Sequence, residues 1–203
     1  MLDKMESVQN SHQNFLSAKY KTHSIDFLIT GIGMLATAYF IGKTLNFKYD
    51  FAFNVGICGC FSSDVEMGAV LNIIQEHLSE LGAEDGLDFL SLKELNLKGT
   101  DEFINTSVIK NDALELIPKV CGITVNTVHG NENSIEKVFQ KFHPLTESME
   151  GAAFLFVCEQ EKIPCAQIRA VSNYVERRNK ENWNIPLALK NANEKMIEIL
   201  NAF

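Results

Sequence analysis

Glu147 to Pro186 reads ESMEGAAFLFVCEQEKIPCAQIRAVSNYVERRNKENWNIP, and the rest of the chain is organised around it. Met149, Ala153, Phe156 and Gln160 recur at helical spacing, and Ala152 and Phe154 widen the apolar face. The first half therefore predicts a helix over Met149 to Glu161, with Ser148 as its cap. Glu150 falls in the first turn, where the helix dipole favours a negative charge. Gly151, Ala152 and Ala153 let another backbone come close. Pro164 stops the helix, and Cys165 to Val171 reads as a buried strand interrupted by Arg169. An unpaired buried guanidinium costs several kcal/mol, so Arg169 needs a partner or a polar cavity. Ser172 and Asn173 follow at the carboxyl end of this strand, beyond which open α/β sheets bind ligands. Together these residues predict a site; a structural ion pair beside a turn-forming Asn is the competing reading.

Outward from this stretch, helices are predicted over Ser134 to Phe142 and Ile185 to Leu200. The second presents Leu189, Ala192, Met196, Ile199 and Leu200 on one face and carries Pro186 in its first turn. Cys121 to Val128 reads as a strand leading to His129, which as a lone loop histidine reads either as solvated or as facing the site. A short strand, VLNII, follows the Gly68-Ala69 hinge, and Ala83 to Leu97 is acidic and loop-like. Asp50 to Cys58 is another strand, and Ile25 to Thr30 a further one, followed by a Gly31-x-Gly33 turn and a helix over Met34 to Leu45. The glycine pattern stops short of G-x-G-x-x-G, which argues against a nicotinamide cofactor. Met1 to Tyr20 reads as a helix end followed by a loop or edge strand, with no apolar β-run before Phe27.

At 203 residues one domain is the default, and a hydrophobic fraction of 46% supplies a core. The net charge of −8, with no basic cluster beyond Arg177-Arg178, argues against a nucleic-acid binder. Cys58, Cys60, Cys121, Cys158 and Cys165 form no CxxC pair and read as reduced thiols of a cytoplasmic protein. No histidine spacing suggests a metal, no organic cofactor is signalled, and no apolar run reaches a membrane span.

SMEGAA followed by IRAVSN resembles the purine nucleosidase and nucleoside phosphorylase superfamily, including its methylthioadenosine/S-adenosylhomocysteine nucleosidases. VSNYVERRNKENWNIPLAL, TGIGMLATAY, NVGICGCF and LGAEDGLDFLSLKEL are similar to a narrower branch, the futalosine hydrolases of the alternative menaquinone pathway. The resemblance runs from Ile25 to the end. It implies an α/β fold: a three-layer α/β/α sandwich around a mixed, twisted central sheet. It implies N-glycosidic hydrolysis of a purine nucleoside by water, without metal or cofactor, in a homodimer or higher homo-oligomer. By the resemblance, Glu150 holds ribose hydroxyls, Met149 packs under the sugar and Arg169 orients carboxylates and water. Ile57, Cys58 and Gly59 line ribose and base, and the strand-end segment at Val128 lies near the purine. Ser172 and Asn173 meet the base, and Trp183 stacks on it or else packs the last helix onto the sheet. One of Arg177, Arg178 and Asn179 would hold futalosine's carboxylate.

Two departures carry information. Related phosphorylases have Arg where Asn54 stands, so the resemblance points to water and not phosphate as nucleophile. Adenine-specific nucleosidases have Asp where Asn173 stands. An amide has no titratable proton near neutrality but offers donors, and a 6-oxopurine presents acceptors at N7 and O6, so Asn173 points to hypoxanthine or guanine as the released base, and futalosine carries hypoxanthine. The family's opening strand and its water-activating glutamate have no counterpart in MLDKMES, and Glu6 is no replacement because no strand precedes it. A non-catalytic nucleoside-binding protein and an adenine nucleosidase are the alternatives.

Overall fold

The structure is a computed structural model that describes residues 5, 7–12, 14–46 and 48–203. The chain opens with an antiparallel meander of β1 (Ser7–His12), β2 (Phe15–Tyr20) and β3 (His23–Leu28). The sequence predicts no such hairpin before Phe27. The helix end expected in residues 1–6 lies outside the described residues apart from Met5. The polar look of this region hides partners that are remote in sequence. Phe15 pairs with Leu28, Leu16 with Phe27 and Ala18 with Ile25, and Lys21 takes the left-handed turn conformation at φ 51°. The Tyr20 hydroxyl donates to Asn201 Oδ1 (2.9 Å), and the Tyr49 hydroxyl donates to Asp26 Oδ2 (2.8 Å). These bonds fasten the meander to the C-terminal helix and to the approach of the next strand.

The central sheet has six strands in the order β11 (Cys165–Tyr174), β4 (Ala52–Cys60), β10 (Thr146–Ser148), β9 (Lys119–Thr124), β5 (Val70–Leu78), β8 (Glu102–Ile104). It is mixed: β4 and β11 are parallel to each other, β5, β9 and β10 are parallel among themselves, and the two groups meet antiparallel. An additional antiparallel pairing of β11 with β5 closes the sheet on itself. The crevice of an open sheet, where the sequence places the ligand, is therefore replaced by the mouth of a closed sheet. The acidic Ala83 to Leu97 stretch folds in part as a small hairpin, β6 (Gly82–Asp85) and β7 (Asp88–Ser91).

Helix α1 (Met34–Thr44) packs on α4 (Gly151–Glu161), and α4 lies against β5, β8 and β9. Helix α5 (Ile185–Asn201) covers β4 and β11 from the other side, with the short α2 (Asp112–Glu115) beside it. This gives the three-layer α/β/α arrangement. Local chemistry sets the helix ends. Asn131 caps α3 (Glu132–Phe142) by accepting the N–H groups of Asn133 and Ser134, and Asn184 caps α5 by accepting that of Leu187. His143 and Lys162 close α3 and α4 in the left-handed conformation. The α5 core joins Met196, Ile197, Ile199 and Leu200 to Ile168 of β11 and Ile117.

Candidate active site

Ser148 is the last residue of β10 and not a helix cap, although its Oγ still accepts the Gly151 N–H at 3.3 Å. The helix predicted from Met149 begins at Gly151. The turn between strand and helix swings Glu150 toward the centre of the molecule. Its Oε1 accepts the N–H of Gly33, from the glycine turn before α1, at 3.1 Å. Its Oε2 lies 3.4 Å from Arg169 Nη1, which also donates to the Ile57 carbonyl at 3.3 Å. Arg169 has only 4% of its side chain exposed, and its Nε and Nη2 are buried without a partner among the described residues. A Cβ on Gly56 would stand 2.4 Å from Nη1, so the guanidinium can lie along β4 only because that residue is glycine. The partner that burial demands of Arg169 is thus Glu150, and part of the guanidinium fork is still open to a polar group.

Asn173 sits across β11 from Gly59 of β4, after a one-residue slip in register between Val171 and Asn173. Such a bulge re-aims a side chain at the end of a paired run. Asn173 Nδ2 donates to the Tyr174 carbonyl (3.0 Å), and Ser172 Oγ–H reaches Asn173 Oδ1 (2.8 Å) or the Cys58 carbonyl (3.2 Å). One amide N–H of Asn173 is therefore committed and one is free. The sequence reading assigns both to the base, and the fold leaves one for it. Ile57 and Cys58 reach this site through their carbonyls. Burial pushes the Cys58 thiol pKa up to about 12, with Arg169 opposing, which disfavours the thiolate.

Trp183 ends a short 3₁₀ turn over Lys180–Asn182. The neighbouring Asn184 N–H donates to the Ser172 carbonyl at 2.8 Å, which ties this segment to the end of β11. The Arg178 guanidinium covers one face of the indole at 4.8 Å from the ring centroid. Arg177 and Asn179 line a groove together with Glu132, Glu136 and Glu176, an acid-rich setting for residues considered as carboxylate ligands. Met149 is half-buried beside Glu150, and Val128 is exposed in the loop after β9.

Two carboxylates escape the sequence reading. Glu147 of β10 is buried, accepts the His129 backbone N–H at 3.0 Å through Oε1, and pairs with His129 Nδ1 through Oε2. His129 is thus no solvated loop histidine: its side chain is 14% exposed and held by a buried carboxylate. Glu76 of β5 is buried behind the start of α4. Its Oε2 accepts from Thr124 Oγ1 (2.9 Å) and its Oε1 from Gln167 Nε2 (2.7 Å). Burial raises its pKa to about 7, its two hydrogen bonds and Arg169 oppose that rise, and Glu150 adds to it. A Cβ on Gly151 would stand 2.1 Å from Glu76 Oε1, so α4 can begin over this carboxyl only with glycine there. The available signal for Glu76 is a charged residue inside the apolar strand VLNIIQEHL, whose full length runs past the predicted VLNII.

Known proteins resemble this chain in sequence and in fold. Futalosine hydrolase of Acidothermus cellulolyticus is 26% identical over 179 residues, covering 83% of this chain and 72% of that protein. Aminodeoxyfutalosine nucleosidase of Campylobacter jejuni is 28% identical over 176 residues, covering 82% of this chain and 75% of that protein. Among solved structures, the methylthioadenosine/S-adenosylhomocysteine nucleosidase of Neisseria meningitidis, in complex with methylthio-immucillin-A, superposes with a TM-score of 0.82. It is 16% identical and covers 100% of this chain and 93% of that one. Futalosine hydrolase of Helicobacter pylori gives 0.77 at 15% identity, covering 97% and 88%. The family model described as the phosphorylase superfamily matches residues 2–203, and the chain belongs to that superfamily.

Proposed function

We propose that the chain hydrolyses the N-glycosidic bond of futalosine, releasing hypoxanthine and the dehypoxanthinyl product, as a step of menaquinone biosynthesis in the cytoplasm. The observation that carries this reading is an amide, Asn173, and not a carboxylate, opposite Gly59 at the carboxyl end of β11. Its free N–H meets the acceptor edge of a 6-oxopurine, where an ionised carboxylate would repel O6. A base without that acceptor leaves a buried donor unpaired, which supports strong selectivity. The names of the Acidothermus and Campylobacter relatives support the same substrate class.

In this mechanism the bond from the anomeric carbon to N9 breaks as positive charge develops on the ribosyl ring. Glu150, held by the Gly33 N–H and Arg169, presents its carboxylate to the ribose hydroxyls and that charge. Asn54 stands where the related phosphorylases have Arg, so nothing at that position supplies the bidentate recognition phosphate prefers, and water attacks instead. The exposed apolar residues Ile29, Ile32, Leu35 and Tyr39, at and before α1, support a homodimer that covers them. The sugar product tests the reaction type. With futalosine and excess phosphate, a free reducing sugar is expected; a sugar 1-phosphate would make the chain a phosphorylase.

A further inference from the structure

The fold leaves Asn173 one N–H for a purine edge that offers two acceptors, and neither it nor Ser172 can give up a proton at neutral pH. The departing base needs a second donor, one able to lose its proton. The sheet register places one. Asn173 of β11 pairs with Gly59 of β4, and Gly59 pairs in turn with Glu147 of β10. Directly opposed residues share one face of a sheet, so Asn173 and Glu147 flank Gly59 on the same face. A Cβ on Gly59 would stand 3.0 Å from Val175 Cγ2 and 3.2 Å from Asn173 Nδ2, so glycine lets the amide and Val175 close in over β4 at this register. Glu147 holds His129 on the other side of Gly59. It accepts from both the backbone N–H and ring Nδ1 of His129, which assigns the proton of the neutral ring to Nδ1. His129 Nε2 makes no hydrogen bond among the described residues and is not among the buried unpartnered atoms.

We infer that His129, oriented by Glu147, is the general acid that protonates the leaving purine across Gly59 from Asn173. The inference rests on the hydrolase reading above. In the step, the C1′–N9 bond breaks with its electron pair passing to the purine. The imidazolium Nε2–H gives its proton to purine N7, while the free Asn173 N–H bonds O6. Water adds its oxygen to C1′ and loses one proton to solvent, and solvent returns one to His129. Atoms and charge balance with no further reactant. The charged groups around the His129 loop are Glu147 on β10, Glu80, which accepts the N–H groups of Asn126 and Thr127, Glu132 at the start of α3, and Glu176 and Arg178, whose backbone lies against Gly130.

The test compares leaving groups. His129→Asn in the full chain is assayed with futalosine and with 4-nitrophenyl β-D-ribofuranoside, whose phenolate departs without a proton. Base release from futalosine is expected to fall about 100-fold, as for loss of a general acid, with the 4-nitrophenyl rate within about threefold of the unchanged chain. Glu147→Gln, a positioning change, is expected to move the alkaline limb of the futalosine pH profile to lower pH. Equal losses on both substrates would make His129 structural, and undiminished futalosine turnover would remove it from the site; either outcome overturns the inference and leaves the hydrolase reading standing. Turnover of neither substrate by the unchanged chain would overturn both.

Discussion

The proposed hydrolysis rests first on Glu150, Arg169 and Asn173. Glu150 is held at both oxygens, by a backbone N–H and a buried guanidinium, so its carboxylate is fixed before any substrate arrives. Glu150→Ala is expected to lower turnover about 100-fold with an unchanged circular-dichroism spectrum; near-normal turnover would take it out of the site. Asn173→Asp is expected to shift the ratio of kcat/KM for inosine over adenosine toward adenosine by about tenfold or more. An unchanged ratio would sink the amide argument. Glu150, Arg169 and Asn173 were legible in the sequence because each breaks a local pattern: a charge at a helix start, a charge inside a strand, an amide at a strand end. His129 was legible only as a loop histidine either solvated or facing the site, and Glu147 as its partner was not, since their pairing joins positions 18 residues apart. Neither position departs from what a loop and a short strand usually carry.

Among the elements, the junction of β10, α4 and β5 carries the most constraint. Gly151→Ala is expected to destabilise the fold by about 2–4 kcal/mol, because the added methyl overlaps both Glu76 and Gln167. A denaturant midpoint close to that of the unchanged chain would contradict this packing. Glu76 makes stability depend on pH. Its folded pKa, raised by burial to about 7, lies above the ordinary glutamate value of 4.5. The folded state therefore holds the proton to higher pH than the unfolded chain. This contribution is full below the unfolded value and is lost as pH rises through the folded one, up to roughly 3 kcal/mol. Glu76→Gln is expected to flatten the loss of stability between about pH 5 and about pH 8; an unchanged slope would assign it elsewhere. Helix α5 and strand β11 were readable because their apolar spacing is long and regular. The β1–β2 hairpin was not, because its apolar residues become meaningful only opposite β3, and β10 was not, because three residues carry no periodicity.

For the whole molecule, the α/β sandwich was legible through the family resemblance carried by SMEGAA and IRAVSN. Closure of the sheet through β11 and β5 was not, since register across remote strands leaves no local mark. Beside the mouth so formed, α1 leaves Leu35 89% exposed next to Ile32. Leu35→Glu is expected to give a folded monomer by light scattering where the unchanged chain gives a dimer; equal masses would contradict the proposed dimer surface. The central claim, a nucleosidase that releases hypoxanthine and not adenine, is tested most directly by giving the chain futalosine and methylthioadenosine in parallel, without phosphate, and identifying the free base. Hypoxanthine from futalosine, with no adenine from methylthioadenosine, is the predicted result; adenine release, or no base from futalosine, would contradict it.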